Sequence, residues 1–280
     1  MPVLTILHTN DIHARFDQMT RLATLIQRER AQAAAEGRAV LLLDAGDSSS
    51  TEEWESDVTG GRANYAMLEA MGYDAAVVGN SDSQWGRDAL NRLLAAVHFA
   101  PLAANLRDAA SDQPPTGLRA YTVLKLDTVN VGVIGLTTYE ELHADFRVDD
   151  QAETLRALIP QLQSEGTQIV IVLSHLGIEA DRRLAANVPG IHTFVGGHSH
   201  TTLHEPERVE DASIVQTGEY GQNLGRLDLA CDDSARSVTV VGCHLIPCDD
   251  RTPPDPTLAG MLELVRFEAN VVRKKRPAVK

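Results

Sequence analysis

At 280 residues the chain can form one large domain or two small ones, and 43% apolar with 23% charged residues excludes a disordered, collagen-like or disulfide-framework protein. A formal net charge of −14 repels polyanions and argues against nucleic-acid binding, but it does not exclude a phosphorylated substrate, because bound divalent cations would reverse the field locally. Cys231, Cys243 and Cys248, confined to the C-terminal fifth, predict free thiols; the opening residues carry no secretion signal and no apolar run could span a bilayer, which together predict a soluble cytoplasmic protein without membrane partners.

The chain opens on an apolar strand, Val3 to Leu7. Helical spacing follows from Met19 to Ala35, with Met19, Leu22, Leu25 and Ile26 on one face. Strand Val40 to Leu43, helix Ala63 to Met71, strand Ala75 to Val78 and helix Arg87 to Val97 come next. Strand Val131 to Ile134, helix Thr154 to Leu162 and strands Ile169 to Leu173 and Ile191 to Val195 continue the alternation, which predicts an α/β fold with strands buried between helices. The pattern then changes: Ser213 to Thr217, Arg226 to Ala230 and Val238 to Leu245 read as strands with no helix between them, predicting an antiparallel section that completes a second sheet. A Pro-rich connector, Arg251 to Pro256, leads to a closing helix from Leu258 to about Val272 and a solvated basic tail of Arg273, Lys274, Lys275, Arg276 and Lys280. With no repeat and no long linker, one domain is predicted: a catalytic unit over residues 1–250, with 251–280 as its connector, closing helix and tail.

The polar residues that carry chemistry follow the apolar runs. His8-Thr9-Asn10-Asp11-Ile12-His13 comes after the first strand, Asp44-Ala45-Gly46-Asp47 after the second and Gly79-Asn80-Ser81-Asp82 after the third. Ser174-His175 and Gly196-Gly197-His198-Ser199-His200 end two later strands. Ligands of open α/β sheets bind outside the carboxyl ends of the strands, so these clusters should converge in one cleft. Residues two apart on extended backbone point the same way, which would let Asp11 and His13 reach one ion, and Asp47 can offer two oxygens to two cations. Asp11, His13, Asp47, Asn80, His175, His198 and His200 exceed what one tetrahedral zinc requires and suit a pair of divalent ions. Mixed imidazole and carboxylate donors favour manganese, zinc, iron or cobalt.

These motifs, with Thr201 after His200, resemble in order those of the calcineurin-like metallophosphoesterases, and within them the N-terminal catalytic domain of bacterial 5'-nucleotidases and UDP-sugar hydrolases. The resemblance runs from about Leu4 to Cys248 and includes Ala104-Asn105-Leu106 and Val133 to Thr138. It implies a four-layer αββα sandwich of two mixed sheets flanked by helices. It also implies that Asp11, His13 and His200 hold one metal, that Asn80, His175 and His198 hold the other, and that Asp47 bridges them. The implied substrate is a small phosphorylated molecule of nucleotide type, cleaved by a nucleophile generated at the metals.

Two departures narrow this. The family usually reads Gly-Asn-His-Glu-Phe-Asp in the third motif, where the His, steadied by the Asp, assists the leaving group; here Ser81 and Gln84 stand at those positions. Ser81 and Asp82 are the side chains left beside the reacting groups. A hydroxyl cannot deliver a proton as an imidazolium can, and a carboxylate beside cations is better suited to positioning. His8, His143 and His204 lie in or near motif loops as replacement acids, while structural roles are the simpler reading for each. Family members acting as 5'-nucleotidases also carry a C-terminal domain that holds the base, and the sequence ends at Lys280 without one, so base recognition is not expected from it. The rival to an enzyme is a metal-containing protein that senses a phosphorylated ligand.

Overall fold

The computed structural model describes residues 3–126, 129–231 and 238–275. In chain order these form β1 (Val3–Thr9), α1 (Phe16–Ala35), β2 (Ala39–Asp44), α2 (Trp54–Thr59), α3 (Arg62–Met71), β3 (Ala75–Val77), α4 (Gly86–Leu94), β4 (Ala100–Leu102) and β5 (Leu106–Asp108). They continue through β6 (Tyr121–Lys125), β7 (Asn130–Thr137), β8 (Phe146–Val148), α5 (Gln151–Ser164), β9 (Ile169–His175), α6 (Ile178–Asn187), β10 (Thr193–Gly196), β11 (Glu207–Val209) and β12 (Ala212–Val215). The last elements are β13 (Asn223–Cys231), β14 (Val238–Pro247) and α7 (Pro256–Lys275). Arg276 and Lys280 of the basic tail lie outside the described residues, as do the side chains of Arg273, Lys274 and Lys275.

Two six-stranded sheets, ordered β14-β13-β1-β2-β3-β4 and β11-β12-β10-β9-β7-β6, face each other. The period of two explains why both faces of the second sheet are apolar. Val131 and Val133 on β7, with Ile169, Ile171 and Leu173 on β9, join the core shared with the first sheet. Their neighbours Ile134, Leu136, Val170 and Val172 pack outward with Leu155, Ile159 and Leu162 of α5 and Leu184 of α6. On the far side of the first sheet, α1 buries Phe16, Met19, Leu22 and Ile26, and α7 packs on α1, α2 and α3. Helix, sheet, sheet and helix make the four layers. No helix among the described residues is long and apolar enough to cross a membrane.

One expectation is corrected. The strands β13 and β14 extend the first sheet, not the second: β13 pairs antiparallel along β1 from Val3↔Ala230 to His8↔Gly225 and carries β14 on its other edge. Of the three strands expected there, β12 alone joins the second sheet, where it runs parallel to β10. The free backbone edge of β1 decides this, since β2 occupies its other side.

Candidate metal centre

The strands β1, β2 and β3 are parallel, as are β7, β9 and β10, so their carboxyl ends open toward one cleft between the sheets. Asp11 and His13 follow β1, Asp47 follows β2, Asn80 follows β3, His175 ends β9, and His198 and His200 follow β10. All seven candidate ligands are brought to this cleft, but Asp11 and His13 do not converge by strand alternation. Asp11, His13, Asp47, His198 and His200 all have left-handed backbones, with φ between 47° and 72°. Each such residue costs about 1–2 kcal/mol, and the surroundings must enforce it. Backbone ties supply that constraint: Ala45 N–H donates to Thr9 O (2.8 Å), Asp11 N–H to Gly46 O (2.9 Å) and His13 N–H to Asp47 O (2.9 Å). The β1–β2 pairing is thus prolonged into the two ligand loops and sets them in register. Close approach also needs glycine: a Cβ on Gly79 would lie 2.0 Å from Asp47 Oδ1.

The donor atoms fall into two groups. Asp11, His13 and His200 offer atoms within 4.8 Å of one another, and so do Asp11, Asp47 and His175. In the first group His200 Nε2 lies 3.2 Å from His13 Nε2 and 3.3 Å from Asp11 Oδ1. In the second, His175 Nε2 lies 3.2 Å from both Asp47 Oδ1 and Asn80 Oδ1. Asp47 divides its oxygens, Oδ1 toward His175 and Oδ2 toward His13 at 3.9 Å. Lone-pair donors crowded this closely fit two cations joined by Asp47.

The second ring nitrogens state how each imidazole is aimed. His175 Nδ1 donates to Ala45 O (2.7 Å), leaving Nε2 for Asp47 and Asn80. His200 Nδ1 meets Glu219 Oε2 at 2.6 Å, leaving its Nε2 for the first group. His198 is the reverse: its Nε2 meets Glu140 Oε2 at 3.1 Å, its ring centre lies 5.2 Å from that of His175, and Nδ1 remains as the possible ligand atom. Such partners fix the ring orientation and basicity of metal-ligating histidines. Burial works against the charged His175, but the adjacent Asp47 carboxylate outweighs it and raises the imidazole to about 10. Burial also opposes the charged Asp47, yet His175 holds that carboxyl well below its usual range. For His200, the Asp11 hydrogen bond raises the pKa against partial burial.

Several supports had no signal in motif spacing. Asn10 donates to Asp11 Oδ2 (2.7 Å) and Gly218 O (2.6 Å) and accepts from Thr217 N–H (2.9 Å). Gln216, fully buried, accepts from Ser199 Oγ (3.0 Å) and donates to Gly197 O (3.0 Å), bracing the loop that carries His198 and His200. These contacts link residues some 200 positions apart or depend on one loop's path, so only the folded chain reveals them.

Ser81 and Asp82 separate. Ser81 faces the cleft, donating through N–H to Asp47 Oδ1 and through Oγ to Asp47 Oδ2, each at 2.9 Å. Asp82, expected beside the reacting groups, is buried and turned inward, accepting from the N–H groups of Asp47 (3.1 Å), Gly79 (3.0 Å) and Ser49 (3.0 Å) and from the Ser49 hydroxyl. It positions the Asp47 loop and does not reach substrate space. Gln84 Nε2 donates to Glu141 O (2.6 Å), holding the loop opposite. Of the replacement acids, His8 is buried, which lowers it to about 4, and His143 accepts from Asp145 N–H (3.1 Å). The histidines lining the cleft, about 570 Å³ in volume, are the ligand candidates His13 and His200.

Residues 4–202 match the calcineurin-like phosphoesterase family. The chain belongs to that family. A trifunctional nucleotide phosphoesterase protein of Bacillus subtilis, YfkN, is 29% identical over 98% of this chain and 21% of its own length. The 5'-nucleotidase of Diplobatis ommata is 32% identical over 82% of this chain and 46% of its own. Among solved structures, a 5'-nucleotidase precursor from Thermus thermophilus shares the fold with a TM-score of 0.85 at 24% identity, over 96% of this chain and 59% of that one. The chain thus spans less than half the length of these curated relatives.

Proposed function

We propose that this domain is a dinuclear-metal hydrolase of phosphate esters or anhydrides of nucleotide type, selective for leaving groups that depart without a proton. The observation that carries the reading is Ser81, whose hydroxyl donates to Asp47 Oδ2 where the family usually has a proton-donating imidazole. Bound divalent cations of the manganese, zinc, iron or cobalt kind would neutralise phosphoryl charge and acidify water. The chain's own part is to hold their ligands. Asp47 joins the two groups, Asn10 and the His198 N–H orient Asp11, and Asp82 fixes the loop beneath. Ser81 secures the bridging carboxylate and supplies no acid, and general acid catalysis is typically worth about 10²- to 10⁴-fold. Kinship with nucleotide phosphoesterases supports the substrate class. The test is a substrate panel with manganese: bis(4-nitrophenyl) phosphate and nucleotide anhydrides should turn over faster than AMP, and a clear preference for AMP would refute the leaving-group selectivity.

A further inference from the structure

Arg15, Glu53 and Tyr220 line both the metal cleft and a second cavity of about 390 Å³, in which each guanidinium is held by carboxylates: Arg15 by Glu53, Arg266 by Asp17 and Glu55. A third cavity, of about 490 Å³, shares no lining residue with either and has a different charge balance. It lies where the corner between α2 and α3 packs on α4. Gly60 and Gly61 turn that corner with φ of 60° and 77°, and they let the backbone rest on α4: a Cβ on Gly60 would stand 3.9 Å from that of Ala89, and one on Gly61 3.1 Å from Leu93 Cδ1. Arg62 follows the corner directly, and Arg92 lies one turn beyond Ala89, so the two side chains flank one recess.

Neither guanidinium is neutralised. Among the described residues, Arg62 Nε donates to the Thr59 carbonyl (3.2 Å), which leaves its two terminal nitrogens unengaged, and Arg92 has no hydrogen bond or ion pair. The one carboxylate in the lining, Asp57, accepts from the Trp85 indole at 3.1 Å. Two guanidiniums to one carboxylate make a cationic recess on a chain of formal charge −14. Acceptor demand then identifies the ligand. Two guanidinium forks present more N–H groups than a carboxylate can accept bidentately at once, whereas a phosphoryl group has three oxygens to share between them.

We infer that this third cavity binds a phosphate-bearing anion away from the metals, with Arg62 and Arg92 as its recognition residues. No candidate metal ligand lines it, so a phosphoryl group held there is bound and not hydrolysed. The inference stands apart from the phosphoesterase reading, because the site is read by binding alone.

Trp85 provides the test. Trp54 and Trp85 are the chain's two tryptophans, and only Trp85 lines the cavity, so an indole N–H NMR spectrum of the full zinc-loaded chain holds one signal at the site and one control. Titrated with inorganic phosphate, against sodium chloride of equal ionic strength, the Trp85 signal should move saturably, with half-saturation on the order of 1 mM. In Arg62→Ala/Arg92→Ala the half-saturation should rise about tenfold or more, and in the milder Arg92→Gln it should rise less. An unmoved Trp54 signal and turnover of bis(4-nitrophenyl) phosphate within about twofold of the parent would show that these exposed substitutions leave the fold intact. AMP should move the Trp85 signal and adenosine should not. Equal half-saturation by AMP and phosphate identifies the ligand as free phosphate, and AMP binding about tenfold tighter identifies it as the phosphoryl group of a nucleotide. A Trp85 signal that does not respond, responds equally to chloride, or responds undiminished in both variants would overturn the site.

Discussion

The floor of the cleft and its rim are built on opposite principles. On the floor, Asp11 and His175 are fully buried, Asp47 nearly so, and each is held by backbone or side-chain partners that leave one donor direction free. On the rim, Arg15, Glu140 and Glu219 are partly exposed and act through single ion pairs or ring contacts. Left-handed ligand backbones are sustained on the floor because neighbouring loops over-determine them, whereas Ser81 stands between floor and rim, facing the cleft while its N–H and hydroxyl hold Asp47.

The comparison breaks most readily at Asp47. Asp47→Ala should lose metal and turnover together, to background, by elemental analysis and aryl-diester hydrolysis; full activity would exclude the bridged pair. Gly79→Ala tests whether the floor is geometric: the added Cβ collides with Asp47 Oδ1, so kcat should fall by about 10² or more, the scale of an ångström's misplacement. An unperturbed Gly79→Ala enzyme would show that the Asp47 loop yields. On the rim, Ser81→His should raise turnover of AMP by about 10²-fold or more while changing aryl-diester turnover little. Such a gain would also disfavour a sensor, since the scaffold would be poised for chemistry; no gain would mean that the rim lacks more than one donor. Glu219→Gln should weaken metal affinity by about tenfold, read by competition with a chelator, because His200 loses the carboxylate that orients it.

The smallest expected effect lies behind the floor, on stability. Asp181 is fully buried, accepts from Ser174 Oγ and is raised by burial to about 8 from an ordinary 3.8. A carboxyl raised in this way stabilises the fold fully below about pH 4, and that contribution is lost as pH rises toward 8. Asp181→Asn should therefore flatten the pH dependence of Tm across that window in metal-free protein, and an unaltered slope would reject the assignment.

The seven candidate ligands were legible as motifs because each follows a strand, and strands with apolar β-branched runs announce themselves. Asp82 was legible as a carboxylate suited to positioning, but the direction it faces was not. Its inward turn depends on the N–H groups of Asp47 and Ser49, which another strand delivers. Likewise, β13 and β14 were recognisable as strands while their sheet was not, since membership follows from which edge is left open.

By itself, the order of apolar runs and polar clusters determined an α/β chain with metal-type ligands at strand ends, because periodicity and donor chemistry are local properties. Tertiary structure alone decided that Asp11 and His13 converge through left-handed turns, that Glu140 and Glu219 engage opposite ring nitrogens of His198 and His200, and that a second cavity adjoins the first. Each of these depends on contacts between segments distant in the chain, which a local pattern does not encode.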